Sequence, residues 1–216
     1  TQDVTLTDTG TTGVTFNSTV DSDATARDLT IAAGTGDVTF AGAVGGTSAL
    51  DELTISSAQD VTINGAVNAA GVTQTTGTGT TTVNAAVTTT GATGIALTNA
   101  AIVQNANLTA AGASPISVTA ATGDLTMAAG SSAATDSGTI TYTAQGNAAI
   151  AALTTGGTAN VTATTGAITD TNGAAVNVSA ANLVSGAATG IDLDTMVTNL
   201  TATTTGAGNV LVNETD

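Results

Sequence analysis

Cysteine, histidine, lysine and tryptophan are absent from this chain, and each absence removes a kind of chemistry. Without cysteine there are no disulfides and no thiolate metal sites. With no histidine, cysteine or lysine, a Ser or Thr nucleophile has no conventional base to activate it. The lack of lysine also excludes Lys–Asn isopeptide staples. A single basic residue, Arg27, stands against 16 acids, for a net charge of −15. Nucleic acid is excluded as a partner, because its phosphates need a basic footprint. An anionic membrane surface would repel the chain, and no apolar run approaches a membrane span, so no membrane insertion is expected. The chain begins at Thr1 without Met or a signal peptide, and reads as a processed chain or a segment of something longer.

Aromatic residues make up 1% of a chain that is 41% hydrophobic. The apolar fraction is mostly Ala and Val, side chains too small to fill a wide core at normal density but able to fill a narrow one. Threonine makes up about a quarter of the chain. Like Val and Ile, it is branched at Cβ and favours a pleated surface. With 26 glycines and one proline, the turns fall to Gly, Asn and Asp.

One phrase recurs. Gly36-Asp37-Val38-Thr39-Phe40-Ala41-Gly42-Ala43-Val44 has an upstream counterpart over 13–20 and downstream counterparts over 60–67 and 81–87. A second phrase, Asp28-Leu29-Thr30-Ile31, returns as Glu52-Leu53-Thr54-Ile55. Alternate residues are apolar in both, the pattern of a strand with one buried side. Strand phrases returning every 20 residues or so mark a solenoid, in which like stacks on like about 4.8 Å apart. The pattern predicts an all-β fold, a parallel β-helix of about 20–24 residues per coil with roughly ten coils, a rod about 45–50 Å long. Three inward columns are expected. They are Val14, Val38 and Val61; Phe16, Phe40, Ile63 and Val83; and Val20, Val44, Val67 and Val87. Asn17, Asn64 and Asn84 fall at one corner as a partial amide ladder. Gly36 reads as the residue that turns the chain.

The unit is read as one continuous solenoid over 1–216, regular over 1–93 and degenerate over 94–216. Ala148 to Leu153 and Thr195 to Leu200 read as short helical turns. Asn64-Gly65 and Asn172-Gly173 suit hairpins, but identical phrases at one-coil spacing favour stacking. Tandem β-sandwiches would need repeats near 100 residues, each with a large aromatic core residue. Neither end carries a polar cap, so the segment is expected either to continue in a longer chain or to stack on copies of itself.

The phrases over 36–44, 164–170 and 200–210 resemble the β-strand repeats of giant bacterial surface proteins of the filamentous-haemagglutinin type. The resemblance covers nearly the whole chain. It implies a right-handed parallel β-helix, secretion to the cell surface, and a role as stalk, fibre or adhesin that meets a host or neighbouring cell. It transfers no catalytic residue, and the family's secretion domain is not visible here.

The remaining chemistry lies in carboxylates. Asp21/Asp23, Asp51/Glu52 and Asp192/Asp194 are the pairs that a polysaccharide-cleaving β-helix would use, but aromatic platforms and basic groups to hold a sugar are scarce. The chain is therefore not expected to be an enzyme. Asp21 with Asp23, and Asp192 with Asp194, are also the candidates for Ca²⁺, the one cofactor considered, although neither loop matches an EF-hand or a β-roll repeat. Ice binding needs Thr-x-Thr rows, and Thr5-Leu6-Thr7 and Thr139-Ile140-Thr141 have the spacing without recurring in one column. Asn-x-Ser/Thr sequons occur at Asn17, Asn107, Asn160, Asn177, Asn199 and Asn213. The expected role is mechanical: an extracellular fibre or stalk with a thin, dry aliphatic core. A module binding calcium, ice or glycan is the alternative, and a polysaccharide-acting β-helix comes third.

Overall fold

Val, Ile or Leu alternating with Thr forms short strands throughout a computed structural model that describes residues 2–215. The described residues form 22 strands in one continuous sheet and no helix. Every strand pairing is parallel, and each joins a strand to its equivalent one coil away. The molecule is a parallel β-solenoid of ten coils with three faces.

The first face stacks Val4, Leu29, Leu53, Val72, Ile95, Ile116, Ile140, Ala159, Leu183 and Leu200 in register. Coil length ranges from 17 residues, Leu183 to Leu200, to 25, Val4 to Leu29, slightly wider than the repeat suggests. The second face starts its coils at Val14, Val38, Val61, Thr81, Ile102, Leu125, Ala148, Ile168, Ile191 and Val210. Its next inward column holds Phe16, Phe40, Ile63 and Val83, with the two phenyl rings stacked 5.1 Å apart and 4° from parallel. The third face stacks Val20, Val44, Val67, Val87, Leu108, Ala133, Leu153, Val178 and Thr195. Val14, Phe16 and Val20, in the first coil, are only partly buried, while their partners one coil on are fully buried.

Several sequence expectations need correction. Ala148–Ile150 and Ala152–Thr155 are strands, not a helical turn, and Thr195 to Leu200 lies inside the strand Gly190–Thr204. Pairing to the neighbouring coils satisfies these backbones, and that tertiary demand overrides local alanine preference. Gly36 does not have a left-handed backbone; Gly34 does, with φ 59°. Gly36 is small for another reason: a Cβ there would lie 2.5 Å from the Gly13 backbone nitrogen in the coil before.

The corner ladder is Asn64, Asn84 and Asn105. Asn84 Nδ2 donates to Asn64 Oδ1 at 2.9 Å, and Asn105 Nδ2 to Asn84 Oδ1 at 2.8 Å. Asn17 has no part in these bonds, since Ala41 occupies that corner of the coil between it and Asn64. One Thr column is in register over four successive coils, but only Thr141-Tyr142-Thr143 among them is a Thr-x-Thr pair. Thr98, Thr119, Thr143 and Thr162 are in register on the outer side of the first face, beside Ala96, Ser117, Thr141 and Asn160. Parallel stacking aligns residues that variable coil lengths hide in the linear sequence.

The core is also not uniformly aliphatic. Gln74, Thr81, Asn99, Gln104, Thr135, Tyr142, Thr155 and Asn177 are buried within it. Thr81 Oγ1 donates to Gln74 Oε1 at 2.7 Å, and Asn99 Nδ2 donates to Thr81 Oγ1 at 3.0 Å and to the Gln59 carbonyl at 3.1 Å.

Candidate functional site

Acidic side chains sit mainly at the corners, where they accept backbone N–H groups that the strands leave free. Asp37 Oδ1 accepts from the N–H of Asp60, and Asp60 Oδ1 from that of Thr80, each one coil on. Asp124 Oδ1 does the same for Asn147, and Asn147 Oδ1 for Ala167. These corner side chains, three carboxylates and one amide, tie each coil to the next.

The first calcium candidates are committed in the same way. Asp21 Oδ1 accepts the Thr47 N–H at 2.8 Å and the Ser48 N–H at 3.3 Å. Asp23 Oδ1 accepts the Thr25 N–H at 2.8 Å and Arg27 Nε at 3.3 Å. The Thr25 N–H, the largest influence, holds the Asp23 carboxyl below its ordinary value against an opposing desolvation, with help from the Arg27 guanidinium. That contact is the only ion pair among the described residues.

Asp192 and Asp194 alternate with buried Ile191, Leu193 and Thr195 in the strand Gly190–Thr204, so they share its outer side. Asp51 is exposed, whereas Glu52 lies across Gly71 and its Oε1 accepts from Thr93 Oγ1 at 2.7 Å. Among the described residues, none of these pairs belongs to a group of three or more acids that could hold a metal ion. Of the sequons, Asn177 is fully buried, out of reach of a modifying enzyme in the folded chain.

Sequence reasoning missed the corner that Asn177 closes. Asp170 ends the strand Ala167–Asp170 in register with Ile150, in the inward column that begins with Phe16 and Phe40. A carboxylate therefore occupies a slot filled elsewhere by Phe, Ile, Val, Met or Gln104. Residues 171–177 then form a loop leading to Val178. Asn177 Nδ2 sits among four oxygens: Asp170 Oδ1 at 2.8 Å, Asn172 Oδ1 at 2.9 Å, and the carbonyls of Ile150 and Ala151, each at 3.0 Å. Asn177 Oδ1 accepts the Asp194 N–H at 2.8 Å, so Asp194 lies one coil on at this corner. Thr171 Oγ1 is buried without a hydrogen-bond partner. Asn172 borders a surface pocket of about 370 Å³ shared with Ser131, Ser132 and Val176. A detectable signal was the phrase Ile168-Thr169-Asp170, which matches Val38-Thr39-Phe40 with Asp in place of Phe.

No family model, no curated protein and no solved structure matches the chain.

Proposed function

We propose that this chain is a rod-forming segment of an extracellular fibre or adhesin stalk, whose task is to span distance rather than to turn over a substrate. The observation that carries the reading is the unbroken parallel ladder through ten coils on the first and second faces. Each coil contacts only its neighbours, so length grows by adding coils without any change in the cross-section. The acidic, threonine-rich outer surface suits a long solvent-exposed rod, and net charge of one sign discourages lateral clumping.

The partners are further like coils, whether adjoining in a longer chain or on another copy. In the first coil, Val4, Leu6, Phe16 and Val20 line an open cavity of about 330 Å³, with Leu29 and Leu50 behind them. In the last, Leu200 and Val210 stay exposed in inward columns. A coil laid on in the same register would cover both ends.

Antibody labelling of intact producing cells tests the location, and electron microscopy of chains carrying one, two and three tandem segments tests the role. The reading expects labelling without permeabilisation and about 45–50 Å of added rod per segment. Labelling only after lysis, or tandem segments that collapse into a globule, would overturn it.

A further inference from the structure

We propose that the first face of coils 4–10 docks against the same face of a second copy of this chain, with the two rods antiparallel. The charge of the chain is unevenly placed. Nine of the 16 acids fall in residues 1–60, and residues 61–123 carry no charge at all. On the first face, the strand segments of coils 4–10, from 72–74 to 199–204, hold no charged residue. Their outer sides form two columns in register. One runs from Thr73 through Ser117 and Thr141 to Thr201, the other from Thr98 through Thr119 and Thr143 to Thr203. No side chain in either column is longer than that of Asn160.

A rod of net charge −15 repels its own copies wherever carboxylates meet, so a copy can approach closely only where charge is missing. The second face carries Asp192 on its outer side, and its strands have three or four residues through the first eight coils. The first face is wider, with strands of five or six residues at Ile116–Ala120, Ile140–Ala144 and Thr158–Ala163. Its short outer side chains let two sheets close to about 10 Å, the spacing of stacked sheets. Seven coils about 4.8 Å apart and about 17 Å wide give about 570 Å² per copy, or about 1,100 Å² for the pair, just above the roughly 1,000 Å² that a specific interface needs. Threonine supplies methyl groups to that contact, and hydroxyls that pair across it.

The charge pattern also selects the orientation. Parallel rods would lay the nine acids in residues 1–60 of one copy beside those of the other. Antiparallel rods centred on coil 7 set coil 4 opposite coil 10 and keep the acidic first three coils of the two copies at opposite ends of the contact. The acids of coils 8–10 do not stand on this face. Asp170 sits in an inward column of the second face, Asp192 lies on the outer side of that face, and Asp194 is at the corner after it. The contact is isologous, each copy giving the same patch to the other. It does not depend on the stalk reading.

Sedimentation equilibrium of the whole chain tests the pairing. A monomer–dimer equilibrium at about 10–100 μM is expected, weak as suits the small area, and tightening as NaCl screens the like charges of the two rods. Thr119→Asp and Thr141→Asp set like charges against each other near the two-fold axis, and each should weaken the dimer about tenfold or more. Thr126→Asp, on the exposed outer side of the second face, should leave it unchanged. The chain has no cysteine, so single introduced thiols report the orientation. Thr73→Cys mixed with Thr201→Cys should give the mixed disulfide dimer in preference to either homodimer. A parent chain that stays monomeric up to about 1 mM would overturn the proposal. So would a dimer indifferent to Thr119→Asp and Thr141→Asp, or thiol variants that each join only to themselves. Thermal hysteresis by a monomeric chain, lost in Thr119→Asp, would assign the face to ice and overturn it too. If the Asp variants do not fold, parent sedimentation and thiol pairing decide alone.

Discussion

The Tyr142 hydroxyl donates a 2.6 Å hydrogen bond to Gln104 Oε1 inside the solenoid, joining the first face to the second across 38 residues of sequence. Both side chains are fully buried. Gln104 Nε2 completes the group by donating to the carbonyls of Ala106, at 3.0 Å, and Ser132, at 2.9 Å. Removing one partner of a buried pair leaves the other unsatisfied, which costs about 1–3 kcal/mol. Tyr142→Phe should therefore lower stability by about 1–3 kcal/mol in chemical denaturation. Gln104→Leu should cost more, because three bonds are lost and two carbonyls are stranded. If Gln104→Leu were the milder change, the glutamine would not be organising this part of the core.

Tyr142 also sets a limit at high pH. Burial, opposed only weakly by the Gln104 hydrogen bond, pushes its phenol far above the ordinary value of 10. The folded state keeps the proton while the unfolded chain releases it, so above the unfolded pKa the unfolded state binds fewer protons. Stability from this group is thus fully present below about pH 10 and falls as pH rises beyond it. Phenolate absorbance should stay flat above pH 10 and then rise together with loss of the far-ultraviolet β signal. A phenolate signal that rises while the sheet stays intact would show that Tyr142 is accessible.

The stacked phenyl rings separate burial from contact. Phe40 is fully buried between Phe16 and Ile63, while Phe16 in the first coil is only partly covered. Phe40→Ala should cost about 3–5 kcal/mol, as a large side chain removed from a closed core does. Phe16→Ala, with less area to lose and solvent already at hand, should cost clearly less. Denaturation midpoints of the two variants check the order; equal losses would mean that the first coil is covered by something in solution.

The solenoid could be read from the sequence because parallel coils place like residues on top of one another. Val14, Val38 and Val61 recur as a phrase for the same reason that they share a ladder. Beyond residue 94 the phrase fades but the alternation does not. Ile116-Ser117-Val118 and Ile140-Thr141-Tyr142 still place their outer members inward, and a wide choice of apolar side chains satisfies such a slot. The polar core was harder to see. Gln74, Gln104 and Asp170 occupy inward slots in phase, yet the expectation of apolar residues there passes over them. Half of the Asn177 corner is backbone carbonyl from Ile150 and Ala151, and carbonyls leave no mark on a sequence.

Two glycines allow backbone strain to be separated from crowding. Gly94 has φ 69° and Gly112 has φ 64°, a region that L side chains enter at a cost of about 1–2 kcal/mol. Their surroundings differ. A Cβ at Gly94 would lie 2.1 Å from the Pro115 carbonyl oxygen in the next coil, whereas one at Gly112 would meet nothing within 4 Å. Gly112→Ala should therefore cost about 1–2 kcal/mol, the strain alone. Gly94→Ala must also push apart two stacked coils where the Ile95 N–H donates to that carbonyl at 2.9 Å, so its loss should exceed the strain by at least the bond, about 1 kcal/mol or more. Urea denaturation of both variants measures the gap. Because the ladder is a chain of nearest-neighbour contacts, the Gly94 variant should also show faster amide exchange in the coils on either side of Pro115, with distant coils unchanged. Equal costs for the two variants would mean that the spacing at this corner relaxes freely, against the rigid stacking described for the rest of the solenoid.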